Sequence, residues 1–159
     1  MNKKTAQSAF TLIELLVVIA IIAVLATVVF VALNPAQRLA DARDARRTTD
    51  LQTILTAIHE CIVDNGGSLS SCGVSTSMPQ TQIGSAALGC GDDSCGAVAA
   101  CLELGGTGNP LEDYLSSDPV DPGLASTSTE THYSVAVGAN NIVTVTACDA
   151  EGGTMTVSR

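Results

Sequence analysis

A continuous apolar run, FTLIELLVVIAIIAVLATVVFVAL, fills residues 10–33 and is interrupted only by Glu14, Thr11 and Thr27. As a helix these 24 residues extend roughly 36 Å, enough to cross a hydrocarbon layer of about 30 Å with some tilt. Glu14 is the anomaly. A carboxylate inside such a run is costly in lipid and marks a specific partner or task, unless it sits at headgroup level and the hydrophobic helix proper is Leu15 to Leu33.

The residues on either side of Glu14 weigh against that simpler reading. Ahead of the run stands MNKKTAQSA, a short basic leader ending in the small residue Ala9. Phe10, Thr11, two aliphatics and Glu14 follow, and then the unbroken apolar helix. Over residues 3–35 this pattern resembles the type IV prepilins and their relatives, the pseudopilins of type II secretion. The resemblance implies cleavage at Ala9–Phe10 by a membrane-embedded prepilin peptidase and methylation of the new N-terminus at Phe10. The family usually has Gly before the cut, and Ala9 departs from that while staying small. The resemblance also assigns Glu14 an assembly role: it meets the N-terminus of a neighbouring subunit, its Phe10 amine, as that subunit docks. The implied partners are other copies of this chain and related pilins in a helical filament, the peptidase, and an inner-membrane assembly platform. A secretory signal peptide is the competing interpretation, but Leu33-Asn34-Pro35 is a poor cleavage site for one.

Beyond Leu33 the chain is rich in Gly, Ser, Thr and Asp, and neither Phe lies there. A soluble part with so few bulky side chains buries a thin core and needs staples. Cys61, Cys72, Cys90, Cys95, Cys101 and Cys148 supply them, all after the apolar run, as suits an oxidising compartment. We expect three disulfides, with the pairing left open by the sequence. Zinc is disfavoured: Cys90 and Cys95 have the wrong spacing for a CxxC knuckle, and His59 and His132 lack partner histidines.

Charge is divided unevenly. From Asp50 to Arg159 there are 13 acidic residues and one basic one, Arg159. So negative a surface repels polyanions, and no direct nucleic-acid binding is expected. Lys3 and Lys4 precede the apolar run, whereas Arg38, Arg43, Arg46 and Arg47 follow it. The positive-inside count thus leans against a cytoplasmic N-terminus, but the cysteines and the resemblance place the C-terminal domain outside the cytoplasmic membrane, on one membrane pass, and in an extracellular filament after assembly.

Taken in order, residues 1–9 are the basic leader and 10–33 the transmembrane or filament-core helix. Residues 34–65 continue as an amphipathic helix. Asn34-Pro35-Ala36-Gln37 has a capping-box pattern that either kinks one helix or starts a second, and the resemblance favours one bent rod. Leu51, Ile54, Leu55, Ile58 and Ile62 form its apolar stripe. Ahead of Leu51 the alternating Arg and Asp read as a solvated flank or as a neck facing neighbouring subunits. Residues 66–109 read as a cysteine-rich variable loop on the surface, with a short helix at Ser94 to Leu104. Residues 110–159 hold a helical turn with Leu111, Tyr114 and Leu115, and then strands at His132–Val137, Ile142–Cys148 and Met155–Val157. In pseudopilins the DPVDPG region leads into a calcium loop, so Asp118 and Asp121 are weak calcium candidates. No loop-wide series of oxygen ligands accompanies them, and no other cofactor is implied.

The expected fold class is α+β: a long N-terminal helix, membrane-spanning in its first half and amphipathic in its second, with a small antiparallel sheet of about three strands packed on its C-terminal half. No nucleophile–base–acid set, glycine-rich phosphate loop or paired carboxylates appear, so a structural subunit is expected and not an enzyme. A pilin is the leading interpretation. A type II secretion pseudopilin, and then a membrane-anchored disulfide-stapled binding module, are the alternatives.

Overall fold

A computed structural model of the chain describes residues 10–86, 90, 96, 100–123 and 126–159. Two compact units are present, one running to Leu39 and the other from Ala40 to Arg159. Helix α1, Leu12–Leu33, starts at Thr11 and consists almost wholly of aliphatic residues, with no residue buried. It stops at Asn34, which takes a left-handed conformation with φ 40° and donates its N–H to the Val31 carbonyl at 3.4 Å. Asn is among the few residues that adopt this conformation readily. Helix α2, Pro35–Asp64, opens on the proline, whose missing N–H costs nothing in a first turn. Asn34 is therefore the C-cap of α1, and the capping box lies at the other end of that helix, at Thr11 and Glu14. Helix α2 closes on glycine: Gly66 has φ 65° and the Gly67 N–H returns to the Ile62 carbonyl at 2.8 Å.

In the second unit, Leu51, Ile54 and Ile58 of α2 pack with the inward side chains of a four-stranded antiparallel sheet. Its strands are β1 Thr81–Gln82, β2 Tyr133–Val137, β3 Val143–Ala147 and β4 Met155–Ser158, in the order β1-β2-β3-β4. Tyr133, Val135 and Val137 pair in register with Ala147, Val145 and Val143, and all six are buried. The alternation seen in the sequence is thus a shared inner face. A turn at Gly138–Asn141 joins β2 to β3, with Asn141 at φ 61°. Tyr133 reaches across the core, and its hydroxyl donates to Asp50 of α2 at 2.9 Å.

Two expectations for residues 66–109 need correction. The extra strand β1 lies in this segment, which also sends Cys72, Val74, Ile83 and Leu104 into the core. It is therefore a working part of the packing and not only a surface wrap. The helix expected at Ser94 to Leu104 falls in part outside the described residues, and its described residues, 96 and 100–104, are not helical: Leu102 forms a parallel bridge with Ile83, and its N–H donates to the Gln82 carbonyl at 2.8 Å. The turn at 109–115 forms as expected, closed by the Leu115 N–H on the Leu111 carbonyl at 2.7 Å.

Candidate functional site

At the start of α1, Phe10 is 83% exposed, while Ala9, the expected residue before the cut, lies outside the described residues. The Thr11 N–H and hydroxyl donate to Glu14 Oε2 at 2.9 and 2.8 Å, and the Glu14 N–H donates to Thr11 Oγ1 at 3.3 Å. Each residue satisfies the other's N–H, and the carboxylate sits where the helix dipole favours negative charge. Glu14 thus has a partner within its own chain, at the N-terminal edge of the apolar helix. Cleavage at Ala9–Phe10 would place an ammonium one residue before this cap, within reach of a carboxylate of this chain or of another. The rest of α1 offers aliphatic surface on every side. The Thr27 hydroxyl, its other polar group, donates to the Ala23 carbonyl at 2.9 Å and leaves no unmet bond to lipid or to another helix.

The cysteines lie in the second unit. Cys61 at the end of α2 is joined to Cys72 with 5.8 Å between their Cα atoms, and Cys90 to Cys101 with 5.1 Å. Cys148 is disulfide-bonded too, and Cys95 lies outside the described residues. Each of these two bridges spans 11 residues of sequence, so these two staples are local. One bridge fastens the end of α2 to the following turn. The other ends at Cys101, next to Leu102, which bridges to Ile83 beside β1.

Asp118 and Asp121 are not brought together on a common ligand position. Asp118 accepts the Gly105 N–H at 2.8 Å and the Leu104 N–H at 3.3 Å. Its burial raises the carboxyl above its ordinary pKa, against the lowering effect of those two N–H groups. Asp121 is buried and faces Arg47, whose Nε and Nη2 donate to its two oxygens at 2.6 and 2.8 Å. No group of three or more His, Cys, Asp or Glu among the described residues is arranged to hold a metal.

Arg47 itself is the residue missed from the sequence. Its side chain is 1% exposed, and Nη1 donates to Asp44 at 2.7 Å. Asp121 above all, then Asp44, holds the guanidinium in its charged form against the cost of burial. Arg43 continues the network outward, donating to Glu151 in the β3–β4 connection at 2.7 Å. Arg43 and Arg47 tie α2 to two loops of its own unit, and Arg47 at least is a buried ion-pair partner and not part of a solvated flank. A signal was present: counting back one helical turn from Leu51 along the apolar stripe lands on Arg47.

Residues 4–30 match the model of the prokaryotic N-terminal methylation motif, which is characteristic of type IV pilins and pseudopilins. The matched segment contains Ala9, Phe10 and Glu14. No curated protein and no solved structure matches the chain.

Proposed function

We propose that the chain is a structural subunit of a type IV pilus-like filament, inserted in the cytoplasmic membrane through α1 and drawn from it into a fibre. The single observation that carries this reading is the methylation motif at residues 4–30, continued into a helix with no buried residue and followed by a stapled helix-and-sheet unit. An aliphatic helix with nothing packed on it needs lipid or like helices around it, and a filament provides the second when the subunit leaves the first. On this reading a prepilin peptidase removes residues 1–9 and the Phe10 amine is methylated. Other copies, related pilins and a membrane assembly platform are the partners, the second unit lies outside the membrane, and the role is structural, not catalytic.

Glu14 is the residue on which assembly turns. A charged amine and a carboxylate at about 4 Å attract by on the order of 4 kcal/mol at an effective dielectric near 20. Either group left bare among aliphatics is penalised, so a subunit in the wrong axial register is rejected. Glu14→Val should insert and be processed normally yet fail to enter fibres, and Glu14→Gln should behave in the same way. Membrane level, leader removal and sheared-fibre yield, measured in a strain lacking the wild-type copy, test this. Wild-type fibre yield from Glu14→Val would remove the assembly role.

A further inference from the structure

Helix α2 buries one face against the sheet and leaves another uncovered. Arg46, Thr49, Thr53, Thr56, Glu60 and Val63 follow one another at alternating spacings of three and four, and all six are exposed. That spacing is the seam by which one helix lies along another. The Thr49 and Thr53 hydroxyls donate to the carbonyls of Ala45 and Thr49 at 3.2 and 2.9 Å. They are satisfied inside the helix and need no water when covered. The seam also has opposite charge at its two ends. Its last turn borders a cavity of about 490 Å³, into which Glu60 and Asp64 face with His59, Thr56, Tyr114 and Arg159. The Tyr114 hydroxyl donates to Asp64 at 2.9 Å. That bond first, then burial, then the nearby charges of Asp64, Asp113 and Glu60, raise its pKa, and the two carboxylates lining the cavity outnumber the one guanidinium of Arg159. At the other end Arg46 has a side chain 63% exposed, with a long 3.7 Å contact to its own Asp50.

We infer that this face of α2 is an interface between copies of the chain, in which Arg46 of one copy enters the Glu60–Asp64 cavity of the next. The charges single out the occupant. From Asp50 onward Arg159 is the sole basic residue, and Arg43 and Arg47 are committed to Glu151 and Asp121. Arg159 already lines the cavity within its own copy, and Arg38, the other exposed arginine ahead of Asp50, stands eight residues before Arg46 and off the seam. A second copy therefore brings Arg46 to the carboxylates. The inference rests on the filament reading for its polarity: copies in a filament with one screw axis all point the same way along it, and neighbouring α2 helices are taken as parallel. Parallel helices pair Arg46 with Glu60 or Asp64 only when offset along α2 by roughly 21 to 27 Å. The contact therefore sets an axial step, independently of Glu14.

Charge reversal in the full chain tests the pairing. Arg46→Glu and Glu60→Arg should each lower sheared-fibre yield at least fivefold at unchanged membrane level, with Arg46→Gln intermediate, and the chain carrying both reversals should recover most of the yield. Coexpressed Arg46→Cys and Glu60→Cys chains should form a mixed disulfide dimer under mild oxidation, in membranes as well as in fibres, while Thr53→Cys alone should not. An antiparallel pair would bring Thr53 against its own counterpart, so a strong Thr53→Cys dimer overturns the inference. So does the absence of the mixed dimer, or wild-type yield from both single reversals. These failures leave the filament reading standing if wild-type fibres form. The cross-link decides the docking even where no fibre forms.

Discussion

Among the described residues, Arg47 and Asp121 are the two charges that the core encloses, with side chains 1% and 0% exposed. Removing one partner of such a pair leaves a bare buried charge, whereas removing both leaves a hole that apolar atoms can fill. Arg47→Ala should therefore destabilise the chain by about 3 to 5 kcal/mol, and Arg47→Met combined with Asp121→Leu should lose much less. Urea unfolding of the full chain in detergent, followed by circular dichroism, measures both. Asp118 behaves differently, since its oxygens meet N–H groups but no cation. Burial raises its carboxyl above 3.8, so the folded chain holds a proton at pH values where the unfolded chain has released it. The stability from this group is fully present below the unfolded value and is lost as pH rises through the raised folded one. The stability of wild type minus that of Asp118→Asn should therefore grow as pH falls from neutral through that window. A difference independent of pH would refute the assignment.

At the scale of elements, what repeats in the sequence was legible and what stands alone was not. The strands β2 and β3 showed themselves because Tyr133, Val135, Val137, Val143, Val145 and Ala147 alternate. The inner face of α2 did so because Leu51, Ile54 and Ile58 recur at helical spacing. Strand β1 has two residues, too few for any alternation, and Val74 and Ile83 are single apolar residues set among Gly and polar residues. Their burial comes from contacts distant in sequence, which no local window contains. Arg47 occupied a core position in the stripe but was read by its charge, because its partner Asp121 lies far along the chain. At the N-terminus Glu14 and Phe10 were legible as a motif, while the Thr11 cap became clear only with the helix. The Cys61–Cys72 bridge makes an element-scale prediction. A closed loop of this length restricts the unfolded chain enough to contribute about 2 to 4 kcal/mol. Cys61→Ser with Cys72→Ser should lower stability by that amount, with the loss centred on the end of α2. Hydrogen exchange of the α2 amides locates the loss, and unchanged protection there would contradict it.

For the whole molecule, a thin core, disulfide staples and a strongly acidic exterior belong together. Large apolar side chains are concentrated in α1, where the described residues bury none of them, so the second unit relies on covalent ties and the buried Arg47–Asp121 pair. Alkylation of the intact, unreduced protein should accordingly label no cysteine, and mass spectrometry that finds two or more labelled thiols would refute this. The Arg43 and Arg47 ties have one more consequence, a mechanical one. A pull on the chain from the α1 side enters the second unit through the first turns of α2. The long-range bonds it meets before any apolar core residue are Arg43 to Glu151 and Arg47 to Asp121. Arg47 holds Asp121 by two parallel bonds, a geometry in which both must stretch at once before either lets go. Under tension the exposed Arg43–Glu151 tie is loaded first and the fork at Arg47 is the latch behind it, standing ahead of the packing between Leu51 and the sheet.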